Sequence, residues 1–343
     1  MSRITILGAG SWGTALAIVF SRTHRKHEIS LWAREAALAE ILKRHRENST
    51  YLPGIFVPVE VQITDDLRAA VANAEILVGA IPSAHARSIY SLAARELSPE
   101  AIVVSATKGL EPATYLRMSK VIAQVLAGTG RAESMQRLAV LSGPSFAAEA
   151  ARGEPTAIVL ASGDDTLADQ LQEEFAGPSF RVYTNSDVLG VELAGAMKNV
   201  IAIAAGACQG LGFGSNAQAA LITRGLAEMT RLSTALGGKT DTLFGLAGLG
   251  DLVLTCTGAL SRNRHVGIEL GKGRALSEIL ASMRMVAEGV GTTAALLALA
   301  GEHQIELPIT EQVNAILHAG KAPRDAIRNI MDRPQKREQG RAR

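Results

Sequence analysis

The chain has 343 residues, 47% apolar and 20% charged, with 33 glycines, 4% aromatics and a net charge of +2. A length of this order suggests about two domains with ample core. The glycine-rich, aromatic-poor composition suits an α/β enzyme and not a β-sandwich, while only two cysteines, Cys208 and Cys256, exclude a disulfide scaffold and a thiolate zinc site.

From residue 1 the chain enters a strand pattern with no signal-peptide layout, which makes the cytosol the expected compartment. Short apolar runs at 4–7, 29–32, 76–80, 102–105, 138–141, 157–161 and 180–183 read as strands. Stretches with helical spacing, such as 13–22 and 84–96, lie between several of them. Strands alternating with helices predict a doubly wound, mainly parallel sheet, an α/β fold. Residues 48–58, with Pro53, Gly54 and Pro58, read as a connector.

After about residue 188 the pattern becomes helical, at 191–208, 217–236, 276–285, 292–303 and 309–319. Glu192, Lys198 and Asn199 interrupt the longest apolar stretch, so no stable membrane insertion is expected. The expected organisation is an α/β domain over 1–188, an all-helical domain over 189–331 and a basic, disordered tail over 332–343. The last thirteen residues carry a charge of +3, which leaves the body at −1 and without a nucleic-acid footprint. The apolar helical part offers a surface for a homodimer.

Gly8, Gly10 and Gly13 form a G-x-G-x-x-G turn between the first strand and the first helix. Gly8 permits the tight turn, Gly10 lets a pyrophosphate approach the backbone, and Gly13 lets helix and strand pack. The free N–H groups of the helix start then face the phosphates. An NAD site usually places an acidic residue at the end of the second strand. Here Ala33 is followed by Arg34 and Glu35. Arg34 suits the 2′-phosphate of NADP and favours that cofactor, while Glu35 leaves NAD open.

Chemistry-bearing residues follow later strands. Lys108 lies just past residues 102–105, and Gly143 and Ser145 just past 138–141. Both positions are at strand C-terminal ends, where doubly wound sheets bind ligands. Lys198 has Ala194, Gly195, Ile201 and Ala202 as its helical neighbours, none of them a carboxylate. It therefore lies on a packed face, where desolvation lowers a lysine pKa toward the range useful for proton transfer. Asp251, in a glycine-rich apolar setting, needs a partner, and Lys198 is the natural one; an N-cap is the other reading. Ser261, Arg262 and Asn263 bring together donors suited to a phosphate, or a polar helix start. The histidines are scattered, and no metal is required.

Taken together, the segments 8–17 (GAGSWGTALA), 106–110 (ATKGL), 141–147 (LSGPSFA), 192–202 (ELAGAMKNVIA), 221–229 (LITRGLAEM) and 248–256 (GLGDLVLTC), with 261–263 (SRN), closely resemble bacterial NAD(P)-dependent glycerol-3-phosphate dehydrogenases. They occur in order over nearly the whole chain. The resemblance implies a Rossmann-type first domain and interconversion of dihydroxyacetone phosphate and sn-glycerol 3-phosphate, feeding phospholipid synthesis. It implies Lys198 as proton donor and acceptor. It places Lys108, Gly143, Ser145, Lys198, Asp251, Ser261, Arg262 and Asn263 on the substrate. It places Ser11, Trp12, Arg34, Tyr51, Lys108, Ala147, Arg262, Val286 and Glu288 on the cofactor.

Two rival readings make different demands. A related two-domain hydroxy-acid reductase would recognise a carboxylate instead of a phosphate. A non-catalytic NADP(H)-binding sensor would keep its function without Lys198.

Overall fold

The computed structural model describes residues 1–130, 137–335, 337 and 338. Among these residues ten strands are formed: β1 Ser2–Leu7, β2 His27–Trp32, β3 Glu47–Asn48, β4 Leu52–Phe56, β5 Gln62–Thr64, β6 Ile76–Gly79, β7 Ile102–Ser105, β8 Leu138–Ser142, β9 Thr156–Ser162 and β10 Phe180–Asn185. Between and around them run helices α1 Ser11–Phe20, α2 Ala36–His45, α3 Leu67–Val71, α4 Ser83–Ala93, α5 Met118–Gly128, α6 Ala147–Arg152 and α7 Asp165–Phe175. Eight strands form one sheet in the order β10-β9-β8-β7-β6-β1-β2-β5. All neighbours are parallel except β8 and β9. Two apolar clusters cover its faces, one with Ile6, Leu16, Phe20 and Leu160, the other with Leu77, Val103, Ile122 and Tyr90.

The doubly wound expectation therefore holds. Chain direction across the sheet reverses at β1, whose neighbours are β2 and β6, and the ligand crevice of such sheets opens at this switch point. The glycine turn after β1 lies there.

The segment 48–58 is more than a connector. β3 and β4 pair as an antiparallel hairpin. Asn48 is fully buried, and its amide donates to the Ala9 carbonyl (2.9 Å) and to Thr14 Oγ1 (2.8 Å). The hairpin is thus pinned to the glycine turn by one side chain, which the prolines and glycine of the segment do not signal.

Among the described residues after β10 the regular elements are helical: α8 Val188–Gly210, α9 Ser215–Ala235, α10 Thr240–Phe244, α11 Asp251–Thr257, α12 Arg262–Gly271, α13 Leu276–Ser282, α14 Glu288–Glu302, α15 Pro308–His318 and α16 Pro323–Met331. A π-turn, Leu246–Gly250, leads into α11. α13 is shorter than expected. It ends at Ser282, whose hydroxyl donates to the Ile279 carbonyl (2.7 Å), and Met283–Met285 leave the helix toward the sheet domain.

α8 is the axis of this half, with α9, α11, α12, α14 and α15 packed around it. Asp187 starts it by accepting from Gly190 N (2.8 Å). Its length and apolarity would suffice to cross a membrane, but 89% of its most apolar window is buried inside the fold. It is the core helix of the second cluster, with Met197, Val200 and Ile201 fully buried. α8 and α12 touch backbone to backbone: a Cβ on Gly206 would strike the Arg264 carbonyl oxygen, and one on Gly267 the Ile203 carbonyl oxygen.

α8 also carries a tie to the sheet domain. The buried Glu192 accepts from Ser119 N (2.7 Å) and Ser119 Oγ (2.6 Å) at the start of α5, and pairs with Arg117 (2.5 Å). A carboxylate at a helix N-terminus is favoured by the exposed N–H groups there. In the C-terminal segment Arg333 pairs with Glu306 (2.7 Å). Lys336 and 339–343, part of the expected disordered tail, lie outside the described residues.

Candidate active site between the sheet and the helical half

Four side chains from both halves converge on one point. Asp251, at the first position of α11, is 1% exposed. Its Oδ1 accepts from Lys198 Nζ of α8 (2.8 Å) and its Oδ2 from Lys108 Nζ in the loop after β7 (2.7 Å). Lys198 Nζ also donates to Thr255 Oγ1 (2.7 Å), and Lys108 Nζ to the Gly143 carbonyl (2.9 Å). Asp251 therefore pairs with Lys198 as its setting demands and does not cap its helix: the cap position is Gly250.

Local sequence explains each placement. Gly143 adopts φ +137°, and a Cβ there would sit 3.2 Å from Ile158 Cα, so only glycine lets the loop turn its carbonyl toward Lys108. Ser145 Oγ donates to the same carbonyl (3.0 Å). Gly195, one turn before Lys198, leaves room for Ser142 and the Lys108 stem, since a Cβ would lie 3.0 Å from Ser142 Oγ. Thr255 is four residues after Asp251 on the same face of α11, and its hydroxyl donates to the Asp251 carbonyl (2.6 Å).

Burial pushes the Lys198 amine down from the ordinary 10.5 to about 8. The Asp251 charge works against that shift, while the Lys108 charge adds to it. The outcome is an amine poised near neutral pH, the condition for a proton donor that must also accept.

A second group of residues adjoins this cluster. Ser261 caps α12 by accepting from Arg264 N (3.2 Å), so the helix-start reading of that segment is correct for the serine. Arg262 is exposed. Asn263 is buried and fixed at both ends of its amide: Nδ2 donates to Asn199 Oδ1 (3.0 Å), and Oδ1 accepts from Gly289 N (2.9 Å). Asn199 follows Lys198 directly, which ties the two groups together. Glu288, at the start of α14, reaches into the sheet domain and accepts from Ser83 N (3.1 Å) and Ser83 Oγ (2.6 Å). Desolvation raises its pKa.

The glycine turn suits a dinucleotide. Gly8 has φ +104°, and a Cβ there would sit 2.7 Å from the Ala80 carbonyl oxygen. Gly13 packs against the Gly8 carbonyl oxygen, whereas a Cβ on Gly10 would meet nothing within 4 Å. The turn is thus closed toward the protein and open on the side where a pyrophosphate would lie. No side chain caps α1, so its first N–H groups are free for phosphate oxygens. Ser11 and Trp12 form the first turn of α1, and Trp12 Nε1 is buried without a partner. Ser11 Oγ lies 2.9 Å from Met285 Sδ, which brings the 283–287 loop over the turn.

The remaining expected cofactor residues are spread around this crevice. Arg34 is exposed beyond β2 and pairs with Glu35 (3.4 Å). Tyr51, half-buried in the hairpin turn, donates its backbone N–H to Asn48 Oδ1 (3.1 Å). Ala147 opens α6 and Val286 is exposed in the 283–287 loop. None of these four touches the lysine–aspartate cluster through a hydrogen bond. Sequence reasoning did not single out Thr255, Asn199, Ser83 or Asn48. Of these only Thr255 had a usable signal, its i+4 spacing from Asp251.

Comparison with known proteins agrees with this layout. Residues 3–168 match the N-terminal part, and residues 187–328 the C-terminal part, of the NAD-dependent glycerol-3-phosphate dehydrogenase family. The glycerol-3-phosphate dehydrogenase [NAD(P)+] of Koribacter versatilis is 56% identical over 335 residues, 97% of this chain and 98% of that one. The crystal structure of glycerol-3-phosphate dehydrogenase from Coxiella burnetii superposes with a TM-score of 0.90 at 40% identity, covering 97% of this chain and 99% of the other. A ketopantoate reductase from Ralstonia eutropha shares the fold alone, with a TM-score of 0.59 at 16% identity over 95% of this chain and 99% of that one. With both parts matched and near-complete coverage at 56% identity, the chain belongs to the NAD-dependent glycerol-3-phosphate dehydrogenase family.

Proposed function

We propose that this enzyme interconverts dihydroxyacetone phosphate and sn-glycerol 3-phosphate with NAD(P)H, and that Lys198 carries the proton. The observation that supports this most directly is the Lys198–Asp251–Lys108 cluster between the sheet and the helical half, with Lys198 and Asp251 buried and Lys108 half-buried. Family membership favours the phosphate substrate over the hydroxy-acid and sensor readings. The two free, buried cysteines fit a reducing, cytoplasmic setting, where glycerol 3-phosphate would feed phospholipid synthesis.

When bound, the reduced nicotinamide supplies the hydride that enters C2 of the ketone. Negative charge then grows on the carbonyl oxygen. Protonated Lys198 stabilises that charge and delivers its proton to the oxygen. Asp251 orients the amine from one side and Thr255 from the other. Lys108, held by Asp251 and the Gly143 carbonyl, supplies a second positive charge. Ser261, Arg262 and Asn263 hold the phosphate, so that binding energy far from C2 is spent on orientation. The exposed face of the glycine turn, with Ser11 and Trp12, holds the dinucleotide. Ala147, Val286 and Glu288 line its path, and Tyr51 and Arg34 the adenosine end.

The test is turnover of dihydroxyacetone phosphate by the purified protein, followed as oxidation of NADPH and of NADH across pH. Reduction requires the ammonium form of Lys198 and oxidation the free amine. The reductive rate is therefore expected to fall, and the oxidative rate to rise, as pH passes through about 8. A flat profile in both directions would remove Lys198 from the proton transfer. Absence of turnover with the cofactor still bound would remove the substrate assignment.

Cofactor choice has its own variant. Arg34 is exposed and, among the described residues, engaged only by its neighbour Glu35, so it is free to meet a 2′-phosphate. Arg34→Ala is expected to raise KM for NADPH by about tenfold, the scale of one charge-assisted contact, and to leave KM for NADH nearly as it was. Equal losses with both cofactors would place Arg34 elsewhere on the dinucleotide.

A further inference from the structure

One basic cavity, beside the proposed phosphate-holding residues, brings in two side chains, His265 and Arg284, that have no role in the reading above. It measures about 270 Å³ and is lined by Ser261, Arg262, His265, Arg284 and Met285, among others. Two guanidinium groups and an imidazole face it, and no carboxylate lines it. Arg284 and His265 are exposed, and neither side chain has a hydrogen bond or salt bridge among the described residues. The cavity is not remote from the glycine turn. Met285 Sδ lies 2.9 Å from Ser11 Oγ, so its rim meets the first turn of α1. The uncapped start of that helix adds its own partial positive charge. Arginine side chains beside a helix N-terminus attract an anion, and an arginine fork matches two phosphate oxygens at once.

We propose that Arg284, with His265 beside it, grips the cofactor pyrophosphate from the side opposite the glycine turn. The inference rests on the reading that the turn holds the dinucleotide, and it adds residues which that reading does not assign. Arg284 would contribute equally to NADH and NADPH, because both carry the same pyrophosphate. In this it differs from Arg34, whose target exists in NADPH alone.

The experiment is titration calorimetry of NADH and NADPH with the full-length enzyme in the absence of substrate. Arg284→Ala is expected to raise both Kd values by about tenfold, and Arg284→Lys by less, because lysine keeps the charge but loses the fork. A rise for NADPH alone would move Arg284 to the ribose phosphate. A rise only in KM for dihydroxyacetone phosphate, with both Kd values unchanged, would move it to the substrate. No change in any of these would leave it a solvated arginine. Each of these three outcomes overturns the proposal. Gly10→Glu, which puts a carboxylate into the open side of the turn, separates the two levels. If Gly10→Glu leaves the Kd values unchanged, the turn is not the cofactor site and both readings fall. If it abolishes binding while Arg284→Ala has no effect, only the Arg284 proposal falls.

Discussion

Lys198→Ala is expected to lower kcat for dihydroxyacetone phosphate reduction by about 10³-fold or more, with the Kd for NADPH almost unchanged. A positioned general acid is worth about 10²–10⁴-fold, and stabilising the developing oxyanion about 10²–10³-fold. On the proposed mechanism one amine performs both tasks, and effects within such a unit do not simply multiply. The fold should tolerate the change. Asp251 keeps its 2.7 Å bond to Lys108, so no buried carboxylate is left alone. Lys198→Arg should fail almost as badly, because a guanidinium keeps the charge but cannot release a proton near neutral pH. Steady-state kinetics with calorimetric cofactor binding decides the matter. Retention of more than a tenth of wild-type kcat in Lys198→Ala would end the assignment.

The second large effect is expected at Asp251. Its carboxylate is 1% exposed and compensates two ammonium groups. Asp251→Ala leaves both facing each other in a buried site, and breaking a buried pair of this kind costs about 3–5 kcal/mol of stability. Activity should fall as well, because neither Lys108 nor Lys198 is then oriented. The pH dependence carries the cleaner signature. Asp251 favours the charged form of Lys198, so its removal moves the amine pKa further below about 8. The reductive rate of Asp251→Asn should then begin to fall at lower pH than in the wild type. Stability follows the same linkage. Between the lowered folded-state pKa and the ordinary 10.5, the unfolded chain binds more protons, so stability rises with pH across that window. In the variant the window opens at lower pH, and its melting deficit should shrink as pH rises. Melting temperatures of Asp251→Asn equal to wild type throughout would show that the carboxylate does not hold the cluster together.

What the sequence made legible follows from what single residues must avoid. A lysine among Ala194, Gly195, Ile201 and Ala202 cannot be a surface ion pair, and an aspartate among glycines and leucines cannot stay unpaired. Those two constraints point at each other, and the structure joins them at 2.8 Å. The glycine turn was legible for a similar reason, because Gly8 and Gly13 have no room for a side chain. The illegible parts depend on contacts distant in sequence. β3 and β5 are too short for alternation to register. Asn48 is an ordinary polar residue until the hairpin folds back 39 positions onto Ala9. Ser83 gains meaning only from Glu288, 205 residues later. The loop after α13 falls within the stretch 276–285 expected to be helical, but Met283 and Met285 there line the cavity wall.

The contact of α8 with α12 bears on which substrates can react. Lys198 stands on one of these helices, and Arg262 and Asn263 stand on the other. Gly206 and Gly267 let the two backbones meet with no side chain between them, so the helices have no layer of soft atoms through which to slide. On the proposed mechanism, which puts the proton on Lys198 and the phosphate on Arg262 and Asn263, the span between them is therefore fixed like the jaws of a locked calliper. The expected substrate carries its phosphate on C3 and its carbonyl on C2. A keto phosphate with one more carbon between the two groups would reach one jaw only by leaving the other. Chain-length discrimination is therefore expected to depend on Gly206 and Gly267, which set the gap.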